Sequence, residues 1–268
     1  MINFMNLING FNIFGIEIKF YGIIIALGML VGIVIAVYNT RFRSLKPDDI
    51  YTLALYVLPL SIIGARIYYV LFSSHQYTFL EILNLRDGGL AIYGGVIGGA
   101  IGVLLFCLIH KKNFIKIADV AVISLIWGQA VGRWGNFFNQ EAYGYEVTLT
   151  AWQWFPFAVY IEQNSAWHMA TFFYESFFNF VIFFLLLFLI RKIKKDGIIT
   201  ALYFILYGIV RVVVEGLRTD SLYWGQIRVS QLLSAILIVG GIIAIIFIIL
   251  KDKWKQPNKT PKSKEHKS

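Results

Sequence analysis

Long apolar runs recur along the whole chain, separated by short polar segments. Seven of them are long enough to cross a lipid bilayer: about residues 20–38, 51–72, 89–109, 116–133, 169–190, 198–215 and 226–250. A transmembrane helix needs roughly 20 mainly apolar residues, because it rises only about 1.5 Å per residue. The pattern therefore predicts an all-α, polytopic membrane protein with about seven transmembrane helices.

The overall composition leads to the same prediction. Of the 268 residues, 58% are hydrophobic and 15% are charged, and the mean hydropathy is +0.69. A water-soluble domain could not bury so much apolar surface. We expect residues 1–250 to form a single seven-span membrane domain, which includes an outer loop at about 134–168. The lysine-rich residues 251–268 are expected to form a disordered, basic cytoplasmic tail.

Basic residues are concentrated after the first, third and fifth runs and in the tail. The clusters consist of Arg41, Arg43 and Lys46; Lys111, Lys112 and Lys116; Arg191, Lys192, Lys194 and Lys195; and seven lysines from Lys251 to Lys267. Connections rich in Lys and Arg stay on the cytoplasmic side of a membrane, so the N-terminus is predicted outside and the C-terminus in the cytoplasm. We attribute the net charge of +9 to this topology and to attraction to anionic lipid, and we expect no nucleic-acid partner.

The remaining basic residues lie in the outer half of the protein or inside a run, and six of the seven are arginines: Lys19, Arg66, Arg86, Arg133, Arg211, Arg218 and Arg228. A guanidinium keeps its charge when partly desolvated and offers a planar fork of donors, which suits phosphate recognition. Ionisable groups at membrane depth are costly and by default mark functional sites. The set therefore indicates an anion site, although each residue could instead belong to a structural ion pair between spans.

Four acidic residues could pair with the deepest of these arginines: Asp119, Glu141, Glu175 and Glu215. Arg211 and Glu215 are four residues apart, so on a helix they would share one face, with Arg218 a turn later.

The segment GRWGNFFNQE, residues 132–141, follows the fourth run and combines the elements of such a site. Its glycines allow the backbone to approach a ligand closely. Arg133 supplies charge, and the amides of Asn136 and Asn139 can donate to ester or phosphate oxygens. Glu141 is expected to orient an arginine. The sequence shows no Cys or His spacing typical of a metal site, so we expect neither a metal nor a cofactor.

Two further patterns concern packing and the membrane surface. Glycines in the third run, at 94, 98 and 102, form a strip that a second helix or a lipid chain could approach. Aromatic residues are concentrated in the outer loop and indicate a position at the lipid head groups: Trp152, Trp154, Phe155, Phe157, Tyr160 and Trp167.

The stretch GRWGNFFNQEAYG closely resembles the signature of prolipoprotein diacylglyceryl transferases, GRxGNFxNxE followed by a glycine, here Gly144. Other matches follow in family order and cover nearly the whole chain. Residues 19–22, KFYG, resemble the RWYG element, and residues 88–95, GGLAIYGG, resemble GGxxxHGG. Tyr174 and Glu175 resemble the LYE element, and the stretch from Tyr207 through Arg211 and Glu215 to Arg218 resembles YGxxR…E…R.

The resemblance implies an enzyme of the bacterial plasma (inner) membrane whose active site is directed toward the outer leaflet. The family transfers the diacylglyceryl group of phosphatidylglycerol to the lipobox cysteine thiol of a prolipoprotein signal peptide. A thioether forms and glycerol 1-phosphate leaves, without a cofactor. The expected partners are phosphatidylglycerol, the prolipoprotein and membrane lipid.

The residue roles that the resemblance implies concern the phosphate head group. Arg133 and Arg211 would be catalytic ligands of the phosphate, with Asn136 and Tyr21 positioning it. Glu141 and Glu215 would hold the arginines, and Arg218 would guide the head group or the leaving glycerol phosphate. The remaining substrate-binding residues would be Asn139, Gly144 and Tyr207.

Two departures from the family pattern affect these expectations. Tyr93, the third candidate catalytic residue, replaces a histidine that has been proposed to activate the thiol. A tyrosine with an ordinary pKa of about 10 is a poor base at neutral pH. Met169 replaces the proline of HPxxLYE, which puts the start of the fifth helix in question.

Three other classes of membrane protein fit the sequence less well. A secondary transporter for an anionic solute would also need buried arginines, but it often contains internal repeats, and no convincing repeat is present. An intramembrane protease would need a serine motif with a partner histidine, which the sequence lacks. A non-catalytic scaffold would not need the outer arginines.

Overall fold

The computed structural model describes residues 10–13, 16–73, 75, 77–84 and 88–254. Within them lie seven long helices, each apolar enough to cross a bilayer: α1 (Phe20–Asn39), α2 (Pro47–Phe72), α4 (Ile92–Ile109), α5 (Phe114–Asn139), α6 (Thr171–Lys192), α7 (Ile198–Leu217) and α8 (Val229–Trp254). A short helix, α3 (Phe79–Leu83), follows α2. The prediction of a multi-pass helical membrane protein is confirmed. Arg86 and the tail beyond residue 254 lie outside the described residues.

Three short antiparallel hairpins lie at one end of the helix bundle, which we call the hairpin end: β1 (Gly10–Ile13) with β2 (Ile16–Lys19), β3 (Ala158–Ile161) with β4 (Ala166–Met169), and β5 (Tyr223–Trp224) with β6 (Ile227–Arg228). The clusters of Lys and Arg flank the opposite end, which we call the basic end. The strands contain only two to four residues, too few for a recognisable alternation, and the hydrophobic pattern did not predict them.

Helix α5 is the central helix, because it packs against α1, α6 and α7. Fully buried aliphatic side chains on its inner face, such as Ile123 and Ile126, meet Leu186 of α6 and Ile199 of α7. This interface carries α5 past the apolar run to Asn139, six residues beyond the predicted end of the span. Asn136 and Asn139 therefore lie on a continuous helix rather than in a loop, and Glu141 lies just beyond its end.

The glycine strip of the third span packs against another helix. A methyl group at Gly98 would collide with the backbone carbonyl of Leu60 in α2, and one at Gly94 would collide with that of Gly64. The backbones of α2 and α4 therefore touch directly, as small residues permit in membrane helices. Of the two occupants considered for this strip, the structure shows the helix.

The outer loop folds back on α5 through β3 and β4. Val159, Ile161 and Phe172 pack with Trp134 and Phe137 near the end of α5 in a small separate core.

Counted back from Glu175, the proline of HPxxLYE falls at Ala170 rather than at Met169, and the backbone N–H groups of both residues are hydrogen-bonded. The N–H of Met169 donates to the carbonyl of Tyr145 at 2.9 Å and extends the pairing of β4 with the preceding loop. Proline has no N–H and could not make this bond. The helix that follows, α6, begins two residues later at Thr171.

A buried ion pair at the basic end overturns one expectation. Asp119 binds Arg43, with 2.8 Å between Oδ2 and Nε, and lies far from the outer arginines. Asp119 is in the second turn of α5, and Arg133 is 14 residues later, or about 21 Å along the helix axis. The two residues therefore belong to opposite ends of the bundle.

Candidate active site

Four charged side chains from three neighbouring helices form a cluster at the hairpin end, which we call the arginine cluster. The carboxylate of Glu175 lies between two guanidiniums: Arg133 Nη2 donates to Oε1 at 2.7 Å, and Arg211 Nη1 donates to Oε2 at 2.9 Å. Arg211 Nη2 also lies 2.7 Å from Oε2 of Glu215, one turn along α7. The expected pairing of Arg211 with Glu215 is therefore present, and the cluster joins α5, α6 and α7.

The carboxylates of the arginine cluster are more deeply buried than its guanidiniums. The side chains of Glu175 and Glu215 are 1% and 2% exposed, whereas those of Arg133 and Arg211 are 17% and 14% exposed. The accessible face of the cluster therefore presents N–H donors, with the carboxylates behind them. Because two arginines balance two carboxylates, this face can recognise an anion through directed hydrogen bonds rather than through excess charge.

Glu141 makes different contacts from those expected. Its Oε1 accepts hydrogen bonds from the side-chain amides of Asn136 at 2.9 Å and Asn139 at 3.2 Å. Asn136 Oδ1 in turn accepts from Arg133 Nη1 at 3.4 Å, so Glu141 acts on Arg133 only through this amide. The reason is local. Gln140 ends α5 in a left-handed conformation, which turns the chain back over the last helical turn, whereas Arg133 lies six residues before the end of the helix, or about 9 Å deeper.

Tyr21, in the first turn of α1, lies against the second glycine of the GRWGN segment. A methyl group at Gly135 would collide with the tyrosine ring, so the missing side chain makes room for Tyr21. Its hydroxyl is near enough to Glu141 for the two groups to interact electrostatically. The structure therefore brings Tyr21 to the same end of α5 as the predicted polar residues.

Gly144 lies where the outer loop, β4 and the end of α7 cross. Its N–H donates to the carbonyl of Met169 at 3.0 Å, and its carbonyl accepts from His168 Nδ1 at 2.9 Å. A methyl group here would lie only 2.8 Å from the carbonyl oxygen of Leu217. Gly144 therefore serves close backbone packing above the cluster.

Arg218 does not share a helix face with Arg211, because α7 ends at Leu217 and Arg218 has an extended backbone. Its guanidinium instead makes two hydrogen bonds to Asp220, at 2.9 and 2.7 Å. Partial burial of Asp220 acts to raise the pKa of its carboxyl, but the bonds and charge of Arg218 outweigh this, and the pKa is lowered.

Two other outer arginines are occupied by protein acceptors. Arg66 donates to five backbone carbonyls, those of Glu81, Ile82, Asn84, Gly88 and Gly89, at 2.6–3.0 Å. Arg228 donates to the hydroxyls of Tyr145 and Tyr223 and to the backbone carbonyl of Glu215. Both arginines organise the segments around the cluster and have few donors left for a ligand.

The remaining predicted residues reach the cluster from two sides. Tyr207, one turn before Arg211 on α7, lies within hydrogen-bonding reach of Arg133. Tyr93, near the start of α4, places its hydroxyl 3.4 Å from the hydroxyl of Ser230 in α8. Ser230 Oγ is also 3.5 Å from Arg211 Nη2, so Tyr93 is linked to the cluster through one serine.

Glu175 was among the four carboxylates expected to be available to the deep arginines, and it pairs with two of them, whereas Ser230 was not expected at the site. Glu175 is recognisable in the sequence because a carboxylate inside an apolar run is costly and must be paired. What the sequence does not reveal is that this one carboxylate serves both arginines. Ser230 gives no such signal, since serine is common in membrane helices.

Comparison with known proteins gives a consistent result over most of the chain. A sequence model of the prolipoprotein diacylglyceryl transferase family matches residues 9–247. A phosphatidylglycerol–prolipoprotein diacylglyceryl transferase of Clostridium botulinum (strain Loch Maree / Type A3) is 43% identical over 249 residues, covering 91% of this chain and 97% of the relative. One from Finegoldia magna is 45% identical over 236 residues, covering 87% and 92%.

A third relative, phosphatidylglycerol–prolipoprotein diacylglyceryl transferase 1 of Clostridium perfringens (strain 13 / Type A), is 42% identical over 253 residues. The alignment covers 92% of this chain and 96% of the relative. The matched region includes every residue of the arginine cluster. The chain therefore belongs to the prolipoprotein diacylglyceryl transferase family.

Proposed function

We propose that this protein transfers the diacylglyceryl group of phosphatidylglycerol to the thiol of the lipobox cysteine of a prolipoprotein. The observation that carries the proposal is the arginine cluster, in which Arg133 and Arg211 share one buried carboxylate and are themselves partly exposed. Family membership and the names of the relatives support a transferase, and they do not favour a transporter for an anionic solute.

The reaction requires a sulfur–carbon bond to form while a carbon–oxygen bond breaks. The cysteine thiol releases its proton to the solvent, and the thiolate attacks the glyceryl carbon that carries the phosphate ester. The electron pair of the broken bond leaves on the oxygen of glycerol 1-phosphate, whose charge rises from about −1 to −2. A preorganised guanidinium stabilises such a developing charge best where water is scarce.

The described residues divide this work among them. Arg133 and Arg211 bind the phosphate oxygens, while Glu175 and Glu215 fix the guanidinium planes from behind. Asn136 donates to Glu141 and accepts from Arg133, so Glu141 helps to orient Arg133 through this amide. The partly exposed guanidiniums also favour the thiolate form of an approaching cysteine, because nearby cations lower the pKa of a thiol.

We place the protein in the bacterial plasma membrane, with the hairpin end at the outer leaflet. The clusters of Lys and Arg at the opposite end support this orientation through the positive-inside rule. A secreted substrate cysteine and a lipid from the outer leaflet would then meet on the same side. The proposal also treats residues 1–250 as one catalytic domain.

The test uses purified protein, vesicles that contain phosphatidylglycerol, and a synthetic lipobox peptide. A peptide with serine in place of the cysteine, and vesicles without phosphatidylglycerol, are the matched controls. We expect the cysteine peptide alone to gain the mass of one diacylglyceryl group by mass spectrometry, with release of glycerol phosphate. Transport of an anionic solute without modification of the peptide would favour the transporter instead.

A further inference from the structure

Ser230 lies at the point where three helices meet beside the arginine cluster. It is the second residue of α8, and its hydroxyl oxygen is 3.5 Å from Arg211 Nη2 of α7 and 3.4 Å from the Tyr93 hydroxyl of α4. Both distances are long for hydrogen bonds, as is common for catalytic contacts before a substrate is bound. One serine thus connects Tyr93 to a guanidinium of the proposed phosphate site.

The chemistry of the three groups fixes the direction of the first hydrogen bond in this chain and favours one direction for the second. A guanidinium can only donate, so Ser230 Oγ accepts from Arg211. A hydroxyl that accepts still has one proton to donate, and the neighbour within reach is the Tyr93 oxygen. The Ser234 hydroxyl donates to the backbone carbonyl of Ser230, at 2.7 Å, so this bond does not involve the Ser230 hydroxyl.

When Tyr93 accepts a hydrogen bond from Ser230, its own phenolic proton is available to a further partner. A phenol whose oxygen accepts a hydrogen bond becomes a better donor, because hydrogen bonds in a chain polarise one another. The anion that Arg211 binds would offer the nearest oxygen. The direction of the chain therefore favours Tyr93 as a donor and disfavours it as a base for the thiol.

We infer that Ser230 is a positioning residue that relays polarisation from Arg211 to Tyr93, and that Tyr93 donates its hydroxyl proton in a hydrogen bond to a phosphate oxygen of the lipid head group. The inference rests on the proposed function. It assigns Ser230 a role that acts through Tyr93, without contact with the substrate. Because the phosphate gains charge as it leaves, the bond is worth more in the transition state than in the bound lipid.

The experiment measures kcat and the KM for phosphatidylglycerol in four variants: Ser230→Ala, Ser230→Thr, Tyr93→Phe and the double variant Ser230→Ala/Tyr93→Phe. We expect Tyr93→Phe to lower kcat by roughly 30-fold and Ser230→Ala by about fivefold, with little change in KM. Ser230→Thr keeps the hydroxyl and should recover most of kcat. The double variant should match Tyr93→Phe alone, since a residue that acts through Tyr93 has no effect once the phenol is gone.

Ser234→Ala is the matched control, because it removes a serine hydroxyl one turn along the same helix that bonds only to backbone. It should leave turnover per folded molecule unchanged. Independent effects that multiply in the double variant, or a Ser230→Thr no better than Ser230→Ala, would overturn the relay. A Tyr93→Phe variant with full kcat would overturn the donor role.

The wild-type protein is assayed in the same series, so two kinds of failure can be distinguished. If the wild type does not modify the peptide, the proposed function fails. If the wild type is active and the serine variants do not follow the expected pattern, only the inference fails. Thermal melting of each variant separates lost turnover from lost folding, and Ser230→Thr retains a test if Ser230→Ala does not fold.

Discussion

Each end of the bundle contains arginine paired with a buried carboxylate, but the two ends differ in how exposed the guanidiniums are. At the basic end the side chains of Arg43 and Asp119 are both 0% exposed. Arg43 Nη1 donates to the backbone carbonyls of Phe42, Ile190 and Ile193. Its Nη2 has no acceptor within the described part of the chain, and it is sealed from solvent.

Asp119 is equally occupied by the protein. Besides Arg43, it accepts from the backbone N–H of Gly197, from that of Thr200 and from the Thr200 hydroxyl, all at 2.8–2.9 Å. The pair fastens α1, α5, α6 and the start of α7 to one another. In the arginine cluster, by contrast, the guanidiniums are partly exposed and the carboxylates are hidden. A buried ion pair by itself therefore does not mark a site; accessible donors do.

The largest effect is expected for Glu175→Gln, which removes the carboxylate shared by both exposed arginines. Glu215 would then be the remaining carboxylate beside two guanidiniums, and breaking a buried ion pair costs about 3–5 kcal/mol. We expect a lower melting temperature and a loss of turnover greater than a hundredfold. The control is Glu162→Gln, an exposed carboxylate of the outer loop. Normal turnover in folded Glu175→Gln would show that the carboxylate at the hairpin end is as purely structural as the one at the basic end.

Asp119→Asn should reduce stability by a similar amount, about 3 kcal/mol, but leave turnover per folded molecule unchanged. The reason is that its partners lie at the basic end, about 21 Å from the arginine cluster along α5. Thermal melting and peptide modification are measured on the same detergent preparation, with Asp48→Asn as the exposed control. A selective loss of turnover would show that the basic end takes part in the reaction.

Arg133→Gln should reduce turnover strongly and stability only slightly, the opposite of the result expected for Asp119→Asn. Loss of one preorganised donor group costs about 3 kcal/mol, or roughly a hundredfold in turnover, while the melting temperature changes less than in Glu175→Gln. Arg133→Lys keeps the charge but loses the planar fork, so it should recover little. Arg41→Gln, at an exposed position of the basic end, is the control. Unchanged turnover in folded Arg133→Gln would leave Arg211 as the main phosphate ligand.

The smallest effect concerns Asp220, half exposed beside Arg218. Because the folded protein lowers its pKa, its contribution to stability is present above the unfolded pKa of about 3.9 and is lost as the pH falls through the lower folded value. Asp220→Asn should therefore destabilise the protein at pH 7 by no more than about 1 kcal/mol. Melting curves of the variant and the wild type should converge below pH 4. A difference that persists there would indicate a role for Asp220 other than pairing with Arg218.

The sequence predicted the seven spans well because long apolar runs have few alternatives in a membrane. It placed the end of the fourth span at residue 133, since polarity begins there, although tertiary packing keeps α5 helical to Asn139. The pairing of Arg211 with Glu215 was predictable because it is local. The pairings of Glu175 and Asp119 were not, because they depend on which helices are neighbours and on the height at which each helix enters the bundle.

The contacts at Gly144 also determine when the site can form during biosynthesis. The N–H of Tyr145 donates to the carbonyl of Leu217, the last residue of α7, and Gly144 pairs with Arg218. The outer loop is synthesised before α7, so it must wait for the sixth span to emerge from the ribosome before it can close. A nascent chain halted before Ile198 would carry Arg133 and Glu175 but neither Arg211 nor the edge on which the loop rests. The site is completed late in translation, when nearly the whole protein is already in the membrane.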